Sequence, residues 1–507
     1  METAISTSNT QNQQQVKPAV RSTEEIKICS AIMDMFHLVP AASAKLIEPL
    51  ITLTVKTERA IVLEIGSPFR KPLVDFLLHY PQHTVDFFLA NIADSLINRL
   101  FVSILKRDDA KPIRLSLESS AVKLVNSTFV VNLPPGGQMQ EDQSALIAKR
   151  QTLQFQGILI VRTLVKFNPE WLTQQPMIIS HLRRIWNSHS LFEKGKKKND
   201  ANNSTYWREI KLLAKCLLTF VSQKSSEIEI LFQLLKVYVV RSIPSLNFIK
   251  NFLESICKSY SVDEKRSVFF KFVECFHDQS FNQDLKAMIL QHVIIPMFEE
   301  SFKQGETDVL IGGPPNPEND SPSNIISVFV NKVIDPEHPF ATNDSIRILL
   351  LQFSALLVEH AGAHIHDAAN RKQGNKLKRL YIFAWPCLLS KQCVDPATKY
   401  HGFYLQAHII IKFAIHKKFV LQVFHGLLKA HGQEAKAIVR QGLDILTPVM
   451  PTRMDDGYTM LSHWTKKIIV EEGHTLSQLV HVLHLLVRHH QVCYHDLAQT
   501  GILSIQQ

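Results

Sequence analysis

The sequence predicts an all-α fold, a stack of amphipathic helical hairpins. Three observations predict it. Apolar residues recur with a period near 3.6 along most of the chain. Glycine is scarce: 17 of 507 residues, or about 3% against an ordinary usage of about 7%. The breaks between periodic runs are mostly short and marked by proline.

The periodicity is the primary signal. Trp207, Ile210, Leu213, Ala214, Leu217 and Val221 share one helical face, as do Phe419, Val420, Val423, Phe424, Leu427 and Leu428. Leu476, Leu479, Val480, Leu483, Leu486 and Val487 repeat the pattern near the end. Such i, i+3, i+4, i+7 stripes belong to helices with one buried side. Helix starts are marked by capping-box spacing at Ser22/Glu25, Ser261/Glu264 and Thr475/Gln478. There the cap hydroxyl accepts from the N3 amide, and the N3 side chain reaches back to the cap amide. Pro68, Pro81, Pro169, Pro244, Pro396 and Pro448 sit at breaks, since proline ends a helix or opens its first turn. The only strand-like alternation, Ile113, Leu115, Leu117, is too short for a sheet.

About twenty helices of about 12–22 residues follow from this reading. Consecutive amphipathic helices joined by short links pack as antiparallel hairpins. An array of such pairs at a period of about 40–47 residues is an α-solenoid of the HEAT/armadillo kind. Separate helical bundles are the alternative. Residues 1–21 are polar and Gln-, Ser- and Thr-rich, so they are expected to be a disordered tail. Helical repeats are expected over 22–186, 205–303 and 325–494. Residues 187–204 (NSHSLFEKGKKKNDANNS) read as a basic loop and 304–324 (QGETDVLIGGPPNPENDSPSN) as a Pro/Gly-rich loop, both exposed and mobile. A shorter break covers 132–143. Residues 495–507 form a divergent tail.

A chain of 507 residues is too long for one ordinary core; a stacked array removes that limit. The net charge of +10, spread over this length, reads as a solvated surface more than as a nucleic-acid footprint. The seven cysteines, Cys29, Cys216, Cys257, Cys275, Cys387, Cys393 and Cys493, are odd in number and include no C-x-x-C pair. Most lie in apolar helical runs, which fits packing in a reducing compartment. The N-terminus lacks the apolar core of a signal peptide. The longest apolar stretch, Ile348 to Val358, is interrupted by Gln352 and Ser354 and falls short of the roughly 20 residues a membrane helix needs.

No nucleotide-binding glycine loop, nucleophile elbow, H-E-x-x-H, His-Arg-Asp or Asp-Phe-Gly motif is present. Phosphate chemistry needs backbone amides that cradle charge, so the sequence predicts no catalytic residue and no cofactor. His360, His364 and His366 cluster, but no third ligand stands at a recognisable spacing beyond Asp367. They read as helix-end or surface histidines. His481, His484, His489, His490 and His495 read as polar-face decoration. Cys387 and Cys393 read as buried packing, and no metal site is expected. Two basic runs stand out: Lys194, Lys196, Lys197 and Lys198 in a loop, and Arg371, Lys372, Lys376, Lys378 and Arg379 opening a helix. They are the candidate contacts to a partner or a phosphate. Without interleaved aromatics a solvated face remains the simpler reading.

Longer strings carry a family resemblance. His364 to Tyr400 (HIHDAANRKQGNKLKRLYIFAWPCLLSKQCVDPATKY), Phe413 to Gly457 and Tyr458 to His489 closely resemble the HEAT-repeat region of the TRRAP (transformation/transcription domain-associated protein) family. Arg70 to Leu89 and Ala201 to Phe220 are similar as well. The resemblance covers most of 22–493 and is strongest after Asn343. That family belongs to the PI3-kinase-related proteins: a HEAT solenoid, a FAT region and a kinase-like domain without catalytic residues. The resemblance implies a nuclear, non-enzymatic scaffold of SAGA-type and MYST-family histone acetyltransferase complexes. Its partners would be transcription activators and complex subunits, in transcription, chromatin organisation and DNA repair. No small-molecule substrate, membrane or direct nucleic-acid contact is implied. A HEAT adaptor of another pathway, or a piece of an active PI3-kinase-related kinase, are the alternatives. Tyr494 to Gln507 departs from the family pattern, which points to a fragment or an alternative end. The stripe on the last helix is then expected to leave apolar area uncovered.

Overall fold

A computed structural model of the chain describes residues 23–39, 43–61, 66–130, 140–188, 203–239, 246–318, 320–367, 374–389, 391–430, 432, 435–472 and 474–493. Every regular element among them is helical. The expected tails at 1–21 and 495–507 and most of the loop at 187–204 lie outside the described residues, as does Ser22.

The chain divides into two units, 1–224 and 225–507. In the first, ten helices follow in order among the described residues: α1 (Thr23–Leu38), α2 (Ile47–Ile61), α3 (Arg70–Leu77), α4 (Pro81–Ala90), α5 (Ser95–Leu105), α6 (Lys111–Ser119), α7 (Ala121–Thr128), α8 (Gln140–Phe167), α9 (Pro176–Asn187) and α10 (Asn203–Gln223). Helix α1 packs on α3, α4 on α6, and α8 on α5, α7 and α10. The Ile113/Leu115/Leu117 alternation falls inside α6, where Ile113 and Leu117 are buried. At spacing i, i+4 they share one helical face.

In the second unit the main helices are α11 (Ile228–Leu234), α12 (Asn247–Ser259), α13 (Val262–His277), α14 (Gln283–Ile289), α15 (Ile295–Lys303), α16 (Thr307–Ile311), α17 (Ile325–Val328), α18 (Asp344–Ala361), α19 (Asn375–Leu389), α20 (Pro396–Lys412), α21 (Lys417–Leu428), α22 (Lys436–Leu446), α23 (Gly457–Glu472) and α24 (Leu476–Arg488). Two π-turns, Leu290–Ile294 and Phe329–Val333, continue α14 and α17. Helix α20 shows how the stack is built. It touches its sequence neighbours α19 and α21 and also α18 and α22, one helix further on either side. Helix α20 thus packs within its hairpin and against the next hairpin on either side, the arrangement of an α-solenoid.

The helix starts follow the capping signals. Ser261 opens α13 with both halves of the box: its hydroxyl accepts from Glu264 N, and Glu264 accepts from Ser261 N at 2.9 Å. Thr475 opens α24 with one half, because the Gln478 side chain turns elsewhere. Asn282, Asn324, Asn343 and Asp395 cap α14, α17, α18 and α20 through their side chains.

Two elements differ from expectation. Residues 304–324 were expected as a coreless loop, yet Thr307–Ile311 form α16, with Leu310 and Ile311 buried. The Arg266 guanidinium fastens this segment, donating to Leu310 O at 2.5 Å and Ser323 O at 2.6 Å. Gly312 between them has φ +118°, and a Cβ there would lie 2.9 Å from Ser323 O, so only glycine suits the turn. The second case is α18. With its following turn it is long and apolar enough to cross a membrane, but most of it is buried inside the fold. Its polar interruptions are satisfied internally: Gln352 bonds His401 at 2.7 Å and Ser354 Oγ donates to Leu350 O.

Candidate partner-binding surface

Of the nine basic residues singled out by sequence, Lys194, Lys196, Lys197, Lys198, Arg371 and Lys372 lie outside the described residues. The remaining three are the first turns of α19, and they point three ways. Lys376 is buried, 3% exposed, with Nζ toward His364 O at 3.5 Å. Burial pushes its ammonium below the ordinary lysine range, with Asp320 and Glu318 partly restoring it. Arg379 is half-buried and spans to the π-turn, donating to Val330 O at 3.1 Å and Ile334 O at 3.0 Å. Lys378 alone is exposed. A helix with period 3.6 sends residues 376, 378 and 379 in different directions, and the sequence gives no sign of which side meets the core.

Arg379 also borders a surface groove of about 470 Å³. Phe276, Ile334 and Phe383 supply apolar wall, and His277, Lys332 and Asp335 supply polar rim. The π-turn Phe329–Val333 forms one edge. A π-turn widens the helix locally, and Arg379 satisfies the carbonyls that it leaves. No sequence motif marks this groove, because its lining comes from four separate segments.

Several of the histidines take roles other than those expected. His364 is 1% exposed, and Nε2 meets Asp308 of α16 at 2.9 Å. His366 is buried too, and its Nδ1 accepts from Gly374 N at 3.3 Å. His360 stacks on Phe302. His364 and His366 therefore tie elements of the second unit together from inside, while His360 is exposed at the end of α18, as expected. In α24 His481 is buried, and just after it His489 bonds Asp444 at 3.0 Å, while His490 is exposed and His495 lies outside the described residues. Cys387 is buried beside half-buried Cys393. The hydrogen bond between the two thiols raises Cys387 and lowers Cys393 from the ordinary thiol range.

A second surface lies on α24. Its buried side is Gln478, His481, Val482 and Leu485. The apolar stripe Leu476, Val480, Leu483 and Val487 faces outward, at 76%, 43%, 45% and 73% exposure. An apolar row along a helix of this length suits another helix.

A sequence model of the Tra1 HEAT repeat ring region matches residues 3–499. The transformation/transcription domain-associated protein of Danio rerio is 51% identical over 97% of this chain. Its namesake in Homo sapiens is 50% identical over 96%. The SAGA complex/NuA4 acetyltransferase complex subunit TRA1 of Saccharomyces cerevisiae is 22% identical over 90%. This chain spans 13%, 12% and 12% of those proteins' own lengths.

Proposed function

Because this chain belongs to the Tra1 HEAT repeat ring family, we propose that it is a non-catalytic scaffold segment of a nuclear transcription coactivator. The observation that carries the reading is the family match over 3–499, on a chain whose described elements are helices stacked on helices. Such an array leaves long continuous surfaces for partners, because each hairpin contacts only its neighbours. The groove beside Arg379 and the outward stripe of α24 are two such surfaces among the described residues.

The yeast relative's name places that protein in SAGA and NuA4 acetyltransferase complexes. On this reading the chain works by protein–protein contact with transcription activators and with subunits of such complexes. Chromatin regulation and DNA repair follow from that company. Lys378 and the basic residues of 194–198 and 371–372 are proposed as peripheral contacts to acidic partner groups. ATP hydrolysis and phosphotransfer are not expected, since no phosphate-cradling loop occurs in the sequence.

The test is affinity purification of the tagged chain from nuclear extract, with identification of the co-purifying subunits and a histone acetyltransferase assay on the eluate. Acetyltransferase subunits and activity are expected. Recovery of transport or phosphatase subunits without them would point to a HEAT adaptor of another pathway. Saturable kinase activity of the purified chain above a buffer blank would overturn the non-catalytic reading.

A further inference from the structure

We propose that Asp34, His37 and Asp75 form a divalent-cation site that fastens α1 to α3. Asp34 and His37 stand three residues apart on α1, so they share a face. Helix α3 packs against α1 and carries Asp75. One ligand atom from each residue falls in a group whose members all lie within 4.8 Å of one another, and each residue is half-buried.

Two features of the cluster call for a cation. His37 Nδ1 is shielded from solvent and makes no hydrogen bond; the nearest carboxylate oxygen, Asp34 Oδ1, is 3.5 Å away. Two carboxylates this close also repel unless a positive charge sits among them. The Arg107 guanidinium, whose charge reaches Asp75, is itself held by Asp109 at 2.5 Å. A divalent ion at the centre takes the orphan nitrogen as a ligand and neutralises both carboxylates. One imidazole and two carboxylates suit the borderline divalent metals, Mn²⁺, Fe²⁺ or Zn²⁺. Water fills the remaining positions, since the residues are only half-buried. His37 binds as the neutral imidazole, so any proton on Nδ1 leaves when the metal enters.

The placement has a structural use. Met33 is the one side chain of α1 counted in the buried core among the described residues, so apolar packing alone holds this helix thinly. Ile28, Ile32, Met35 and Leu38 are exposed, and Ile26 and Phe36 are only half-buried. A metal bridge to α3 adds the missing fastening.

The experiment titrates the full metal-free chain with Mn²⁺ at neutral pH, reading free Mn²⁺ by electron paramagnetic resonance. Backbone hydrogen exchange of α1 is followed in parallel. One site is expected, weakened about ten-fold or more by Asp34→Asn, Asp75→Asn or His37→Asn, and unaffected by His490→Asn, an exposed spectator. Mn²⁺ should slow exchange across α1 in the parent chain and not in Asp75→Asn. Asp34→Asn and Asp75→Asn keep side-chain shape, and circular dichroism checks the fold of all three variants. Unchanged Mn²⁺ binding in all three variants, or α1 exchange indifferent to Mn²⁺, overturns the proposal.

Discussion

His481 Nε2 donates to the main-chain oxygen of Leu427 at 3.2 Å, from one face of α24 to the last turn of α21. Beside it, Gln478 Nε2 donates to Leu428 O at 2.9 Å. The final carbonyls of a helix have no intrahelical donor. Here the polar side of the next hairpin supplies them. Leu427 O keeps a second donor in Ala430 N at 3.2 Å, so replacing Gln478 by leucine is the sharper change: it should destabilise the chain by about 1–3 kcal/mol, the cost of a buried polar group left unpaired. Urea unfolding of the variant against the parent checks this. A change below a few tenths would mean that water takes over the bond.

The same pair of bonds turns Leu476, Val480, Leu483 and Val487 outward. Exposed apolar rows promote association. The purified chain should therefore self-associate with rising concentration, and Val480→Glu with Leu483→Glu should suppress this. Because the row is exposed, stability should change by no more than about 0.5 kcal/mol. Sedimentation velocity and a thermal melt read the two effects separately. A parent chain that stays monomeric at high concentration would show the stripe already covered.

Arg266 holds the segment around α16 by its bonds to Leu310 O and Ser323 O. Arg266→Ala should release it, and limited proteolysis between Gly312 and Ser323 should then accelerate relative to the parent. In the parent, residues 187–204 should be cut sooner than this fastened segment. Equal cleavage of the segment in parent and variant would assign the ordering to Leu310 and Ile311 alone.

His408 of α20 is mostly buried, and that burial pushes its imidazole down to about 4, with Glu359 partly opposing. The folded state therefore resists protonation that the unfolded chain accepts near its ordinary value of about 6.5. Stability from this residue is complete above about 6.5 and declines as the pH falls toward 4. The decline is of order 2–3 kcal/mol. His408→Gln should flatten this part of the pH–stability curve. An unchanged curve would place the acid sensitivity on other groups.

Gly402 marks the closest approach of α19 and α20. A Cβ there would lie 2.9 Å from Cys387 Cβ and 3.3 Å from Ala384 O. Gly402→Val should therefore overpack the interface and cost about 1–3 kcal/mol, lowering the melting temperature. No shift would mean that the two helices separate freely.

Local chemistry determined much of this protein without help from the fold. The 3.6 period and the scarcity of glycine make the chain helical, because every residue carries its own propensity and its own i, i+4 neighbours. The Ser261/Glu264 box and the proline at the first turn of α4 and α20 act within a single turn, so they are legible as written. What the sequence could not determine is which side of a helix meets its neighbour. The stripe of α24 was expected to leave apolar area uncovered, but only the tertiary structure showed that Gln478 and His481, bonded to α21, lie on the buried side in its place. Lys376, Lys378 and Arg379 looked like one basic patch, and packing buried the first, exposed the second and bound the third to the π-turn. His364, Leu310 and Arg266 come from distant stretches of chain, and each owes its role to a partner more than forty residues away. Those partners are brought together by stacking of hairpins, a long-range balance of burial and hydrogen-bond satisfaction that no local pattern encodes.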